Sequence, residues 1–148
     1  MITGEMLIKL ANRWSALTAN SGGGEDVWRT AIGRAYYGAF HVGVAFLKSL
    51  GIRQASGANK RSVHDWVKTV LQHGSNPDLT QAGKNLGDLH VYRKDADYAI
   101  DVTEHGEQLL AQQCHLMAED IRQLLAKCEE AKPAIKMDTE AWLKMSRY

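Results

Sequence analysis

Apolar residues recur along this chain at helical spacings almost from end to end. Leu7, Leu10, Trp14 and Leu17 share one face of a first helix, which Thr3 can cap and which is predicted to run to about Asn20. Ser21-Gly22-Gly23-Gly24 ends it. A long second helix is predicted from about Glu25 to Leu50, with acids in its first turn and Gly51 just past its end. Its seam of Trp28, Ile32, Ala35, Ala39, Val42 and Phe46 alternates steps of four and three, and its small residues allow a neighbour to approach closely. A third helix, about Ser62 to His73, carries Val63, Trp66, Val67, Val70 and Leu71 on one face, and Gly74 to Asp78 closes it.

The fourth helix is predicted from near Thr80 to a point between Asp95 and Ile100, with Ala82, Leu86, Leu89 and Ala96 facing inward. Thr103 can cap a fifth, to about Ala131, whose seam is Leu110, Cys114, Met117, Ile121, Leu124 and Cys128. Pro133 is expected to break the chain, and Asp138 to cap a short terminal helix bearing Trp142 and Met145. Strand signals are scarce. The pattern predicts an all-α fold: a bundle of four main helices with one shorter helix over residues 1–132, and a helical tail over 133–148.

Composition adds bounds. A chain of 148 residues reads as one domain with a real core, and its 45% apolar and 24% charged shares are ordinary for a globular protein. A net charge of +1 argues against wholesale wrapping of nucleic acid but leaves room for a local basic patch. Arg53, Lys60, Arg61 and Lys68 supply one in the middle of the chain, either a solvated face or a surface that tracks phosphates. Cys114 and Cys128, if on one helix, stand about 21 Å apart and cannot pair with each other. Two unpaired thiols suit a reducing compartment. The N-terminus lacks the basic and apolar regions of a signal peptide, and no eighteen-residue apolar window occurs. A cytoplasmic location without membrane association is the expectation.

The candidate chemistry lies in two polar stripes. Arg93 and Asp97 are four apart and share a helix face; Arg34, Tyr37 and His41 form a second stripe on the second helix. If the stripes face each other, Arg34, His41 and Arg93 converge in a polar cleft. Arginine suits a phosphate because its planar fork donates two parallel hydrogen bonds, although Arg93 and Asp97 equally suit a plain intrahelical ion pair. His41 and His64 are candidates for proton transfer, or for satisfied packing residues. Tyr36 and Tyr37 point about 100° apart, so one can be core while the other faces the polar cluster, and Tyr37 is the candidate for the cluster. Tyr98 can stack on a base or anchor the end of its helix. His73 reads as a helix-end partner, and His90, His105 and His115 as surface residues. Metal-ligand spacings are absent, and the glycines at 22–24 run into Glu25 and Asp26, which repel phosphate. No cofactor is therefore expected.

The run Ala31-x-x-Arg34-Ala-Tyr36-Tyr37-x-Ala39-Phe40-His41, then His64, then Arg93-x-x-Ala96-Asp97-Tyr98, resembles the HEPN superfamily (higher eukaryotes and prokaryotes nucleotide-binding domain). It is most similar to the small prokaryotic branch with an Arg-x-x-Ala-Asp-Tyr motif, and the match in helix order covers roughly residues 5–130. The resemblance implies a helical bundle that commonly dimerises, often a metal-independent ribonuclease of a toxin–antitoxin or defence module, with a minimal nucleotidyltransferase as a frequent companion. Its nuclease members follow the motif arginine by four to six residues with a histidine. Here position 97 is Asp and the next histidine is His105. Two functions stay open. One is an RNA-directed protein in which Arg93, Arg34, His41 and Asp97 carry the chemistry while Tyr37, His64, Tyr98 and Arg61 bind substrate. The other is a non-catalytic module that partners a nucleotidyltransferase. A homodimer is expected in both, with Trp142 and Met145 in the contact.

Overall fold

The computed structural model describes residues 1–54, 62–102 and 107–146. Among these, all regular structure is helical: α1 Gly4–Ser15, a single 3₁₀ turn Ala19–Ser21, α2 Glu25–Ser49, α3 Val63–Gln72, α4 Pro77–Tyr98, α5 Gln108–Lys127 and α6 Lys132–Ser146. Thr3, Ser62 and Asn76 cap α1, α3 and α4, each side chain accepting from a backbone N–H three residues on.

Several boundaries differ from those the pattern predicts. The first helix stops at Ser15 because Thr18 and Ser21 bond each other and the local backbone, which favours a separate tight turn over a continued helix. Leu17, expected on the helix face, instead gives its carbonyl to the Trp28 indole N–H at 3.0 Å. The fourth helix begins at Pro77 rather than near Thr80: proline is pre-shaped for the first helical position, and Asn76 caps it. The fifth ends at Lys127, short of Ala131; the Thr103 cap lies outside the described residues. Pro133 does not break the chain. It sits in the first turn of α6, where no intrahelical N–H is required. Asp138 is consequently mid-helix and caps nothing. Its carboxylate accepts from the Ser75 backbone N–H at 3.1 Å and ties α6 to the turn before α4.

α2 is the centre of the bundle. α1, α4 and α5 pack around it, and α3 lies along α4. The core runs from Ile8 and Ala11 through Ile32, Ala35 and Ala39 to Leu86, Leu89 and Ile121, all fully buried. Both cysteines are free and buried, and burial pushes the Cys114 thiol up to about 12. α6 buries Ile135 and Thr139, and its Trp142 ring lies 3.9 Å from the His73 ring. Trp142 thus packs within its own chain, while Met145 is exposed. Among the described residues no helix is long and apolar enough to cross a membrane.

Two glycines set helix spacing. A Cβ on Gly38 would lie 2.6 Å from Ile8 Cγ1 and 2.9 Å from the Gly4 carbonyl oxygen, so α1 and α2 meet backbone to backbone. A Cβ on Gly83 would stand 2.7 Å from the Gln72 backbone nitrogen, at the end of α3. Gly38→Ala and Gly83→Ala are each expected to destabilise the fold by roughly 1–3 kcal/mol, because overpacking outweighs the better helix propensity of alanine. Urea denaturation of each variant measures this.

Candidate functional site

α4 and α2 run antiparallel, so the end of α4 lies beside the first half of α2. Arg29 fixes this arrangement. Its guanidinium donates to the carbonyls of Ala96 at 2.9 Å, Ala99 at 3.3 Å and Val102 at 2.9 Å, and pairs with Glu25 at 2.8 Å. The last turn of α4 has no basic residue of its own. Arg29 therefore supplies both the missing donors and the positive charge that a helix C-terminus favours. The Glu25–Arg29 spacing is visible in the sequence; its reach to carbonyls some seventy residues away is not.

With α4 held, Arg93 points at α2. Its Nη2 donates to Tyr37 Oη at 2.8 Å, and its Nε lies 2.9 Å from Asp97 Oδ2. The Nε contact is an ion pair whose angle does not suit a hydrogen bond, so Nε keeps no hydrogen-bond partner. The guanidinium carbon sits 5.2, 6.0 and 5.9 Å from the ring centres of Tyr37, Tyr36 and Tyr98, within cation–π range. Asp97 is the more exposed partner and Tyr98 is mostly exposed.

Behind Arg93 lies a polar aromatic stack. Tyr36 Oη and His64 Nδ1 are 2.6 Å apart, the Tyr36 and His90 rings stack at 4.8 Å and 11°, and His64 lies 4.4 Å from Phe40. Burial raises the Tyr36 phenol well above its ordinary range, so the hydroxyl keeps its proton. When that hydroxyl donates to Nδ1, the proton of neutral His64 sits on Nε2; when Nδ1–H donates to the hydroxyl oxygen, Nε2 is the open acceptor. Burial, reinforced by the charge of Arg93, lowers the His64 pKa; burial, then Lys94 and His64, lower that of His90.

The expected cluster is assembled in part. Tyr37, Arg93, Asp97, Tyr98 and His64 come together. Arg34 is exposed and lines a cleft of about 390 Å³ with Tyr37 and Asp97. His41 does not join it. It lies two turns further along α2, exposed, in a groove with Thr3, Gly4 and Glu5 at the start of α1. Arg61 lies outside the described residues, as do Lys60 and His105. Tyr36 is the core member of the tyrosine pair, yet its hydroxyl also belongs to the cluster. His90 is not the surface residue the sequence suggests: it is half-buried in the stack. No periodicity signals a tyrosine–histidine bond between separate helices.

Because both histidines resist protonation in the fold, the unfolded chain binds more protons just below its imidazole value of 6.5, and stability is lost as pH falls through that range. The charges that act on them are Arg93 and Lys94 on α4 and Asp65 and Lys68 on α3, with a lesser contribution at His64 from His41 on α2. Melting temperature is expected to fall between pH 7.5 and pH 5, and a His64→Gln/His90→Gln variant to lose less over the same interval. Arg29→Gln is expected to cost roughly 2 kcal/mol, from the loss of charge-assisted hydrogen bonds; chemical denaturation checks it. The chain matches no family model, and no curated protein or solved structure is significantly similar to it.

Proposed function

We propose that this protein is a HEPN-like, RNA-directed module of the toxin–antitoxin or defence type, and that Arg93 engages an RNA phosphate. The observation that carries this reading is the meeting of the two motif segments. Tyr36 and Tyr37 on α2 and Arg93, Asp97 and Tyr98 on α4 surround one guanidinium, with His64 hydrogen-bonded to Tyr36 alongside. A fixed cation beside a neutral imidazole is the pairing that attack by a ribose 2′-hydroxyl on the adjacent phosphate requires. In the tautomer whose Nδ1–H donates to Tyr36 Oη, His64 Nε2 would accept the hydroxyl proton, Arg93 would stabilise charge on the phosphoryl oxygens, and the 5′-oxygen would leave, taking up a proton from water. His64 suits the proton transfer better than His41, which faces a different groove. Asp97 holds Arg93 in place and transfers no proton.

A second reading rests on Tyr98, which is 73% exposed beside Arg93. There the cluster is non-catalytic and presents this tyrosine to a partner nucleotidyltransferase, the companion that the resemblance implies. In either reading the chain is proposed to form a homodimer. Leu109 and Leu116, seven apart on α5, are more than half exposed and offer apolar surface for it.

Incubating the purified protein with total RNA in the presence of a chelator tests the first reading. Cleavage or stable RNA binding is expected in the wild type and a loss of at least about tenfold in Arg93→Ala, the scale of a phosphate-binding arginine. Asp97→Asn is expected to weaken the effect without unfolding the protein. If neither variant changes RNA cleavage, RNA binding or nucleotidyltransferase binding, the cluster is structural. Light scattering at tens of micromolar checks the dimer; a monomer there removes it.

A further inference from the structure

Of the three glycines of α2, Gly33 is the one with nothing packed against it. It stands inside a 25-residue helix, where glycine costs up to about 1 kcal/mol relative to alanine. Gly38 on the same helix is required by the crossing of α1. At Gly33 the opposite holds: an added Cβ would meet no atom beyond its own stretch of helix within 4 Å. Packing therefore does not call for glycine here. What its missing side chain does is leave open the floor of the cleft between α2 and the end of α4.

The walls of that cleft are chemically mixed. Tyr37 provides an aromatic ring. Arg34 is exposed at the rim and makes no hydrogen bond or ion pair among the described residues. Two carboxylates also face the cleft: Asp26, whose side chain has no such partner either, and Asp97, of which Arg93 uses one oxygen. The volume of about 390 Å³ falls in the range of a site for a single small ligand. A flat ring fits over a bare glycine against an aromatic wall. A free guanidinium takes a phosphate. Carboxylates accept from the exocyclic amino groups of bases, and an acceptor oxygen in place of an amino group would leave them unpaired.

We propose that this cleft is a subsite for one unpaired nucleotide with an amino-bearing base (adenine, cytosine or guanine), the base over Gly33 and the phosphate on Arg34. The inference deepens the RNA-directed reading and rests on it for the source of the nucleotide. Tyr37 and Asp97 belong both to this cleft and to the Arg93 cluster, so the nucleotide seated here is the neighbour of the phosphate that Arg93 engages. The cleft then selects which residue of the RNA stands beside that phosphate.

The test titrates AMP, CMP, GMP, UMP and inorganic phosphate into the full chain by calorimetry, for the wild type, Gly33→Leu and Asp26→Asn. Binding of AMP, CMP and GMP at least about tenfold tighter than UMP and phosphate, the scale of one base-reading contact, is expected. Gly33→Leu fills the floor and is expected to lose that binding while keeping a cooperative melt. Asp26→Asn is expected to narrow the preference against UMP. Equal affinity for all five probes, no binding of any, or unchanged binding by Gly33→Leu overturns the proposal. If Gly33→Leu does not fold, Asp26→Asn decides, and an unchanged ranking overturns it. Loss of RNA binding in Arg93→Ala without any mononucleotide preference in the wild type rejects the cleft and keeps the RNA reading. A mononucleotide preference without any RNA engagement does the reverse.

Discussion

The candidate site depends on how the end of α4 is held. A helix C-terminus leaves carbonyls without partners, and this one has neither a glycine cap nor a basic residue in its last turn. Arg29 reaches over from α2 and bonds the carbonyls of Ala96 in the last turn, Ala99 at the cap and Val102 just beyond it. One side chain therefore ends α4, neutralises the negative pole of its dipole and sets its distance from α2. Arg93 and Asp97 lie within two turns of that clamp. Their position against Tyr37 follows from it, and so does the opening of the cleft beside them.

Within the cluster, burial and charge reinforce each other. Arg93 is largely withdrawn from water, which is tolerable because Asp97 and Tyr37 meet it and three aromatic faces surround it. That retained cation, together with burial, keeps His64 neutral; burial keeps Tyr36 protonated. A neutral imidazole is an acceptor, whereas an imidazolium is only a donor. The environment thus sets the chemical character of the residues as well as their position. The same hydrophobic packing that holds Phe40 and Tyr36 in the core provides it.

The parts of the site legible in the sequence were those lying on one helix at spacings of three or four. Arg93 and Asp97 pair as their spacing implies, and Tyr37 faces them from the opposite stripe. His41 shows where this logic stops. Seven residues from Arg34 place it at nearly the same angle on α2 but about 10 Å further along the axis. By that point the neighbour is the start of α1, not the end of α4. The reach of Arg29 to the end of α4 and the contacts of Tyr36 and His90 carry no periodic signal, since each is made to a distant part of the chain. For Gly33, sequence alone cannot separate a glycine required by a helix crossing, as Gly38 is, from one that leaves space open.

The sequence by itself determined the helical class, the order of the helices and most of their apolar faces. These follow from local spacing, capping side chains and the turn chemistry of glycine, proline and asparagine, all of which act within a few residues. It misjudged Pro133 and Asp138, because a proline can equally end one helix or open the next, and only the docking of α6 against Ser75 and His73 shows which. The tertiary structure alone decided which polar residues meet, which become buried and which keep their protons. Contact between helices depends on crossing points and axial offsets set by close packing at Gly4, Gly38 and Gly83, and desolvation exists only once that packing has closed.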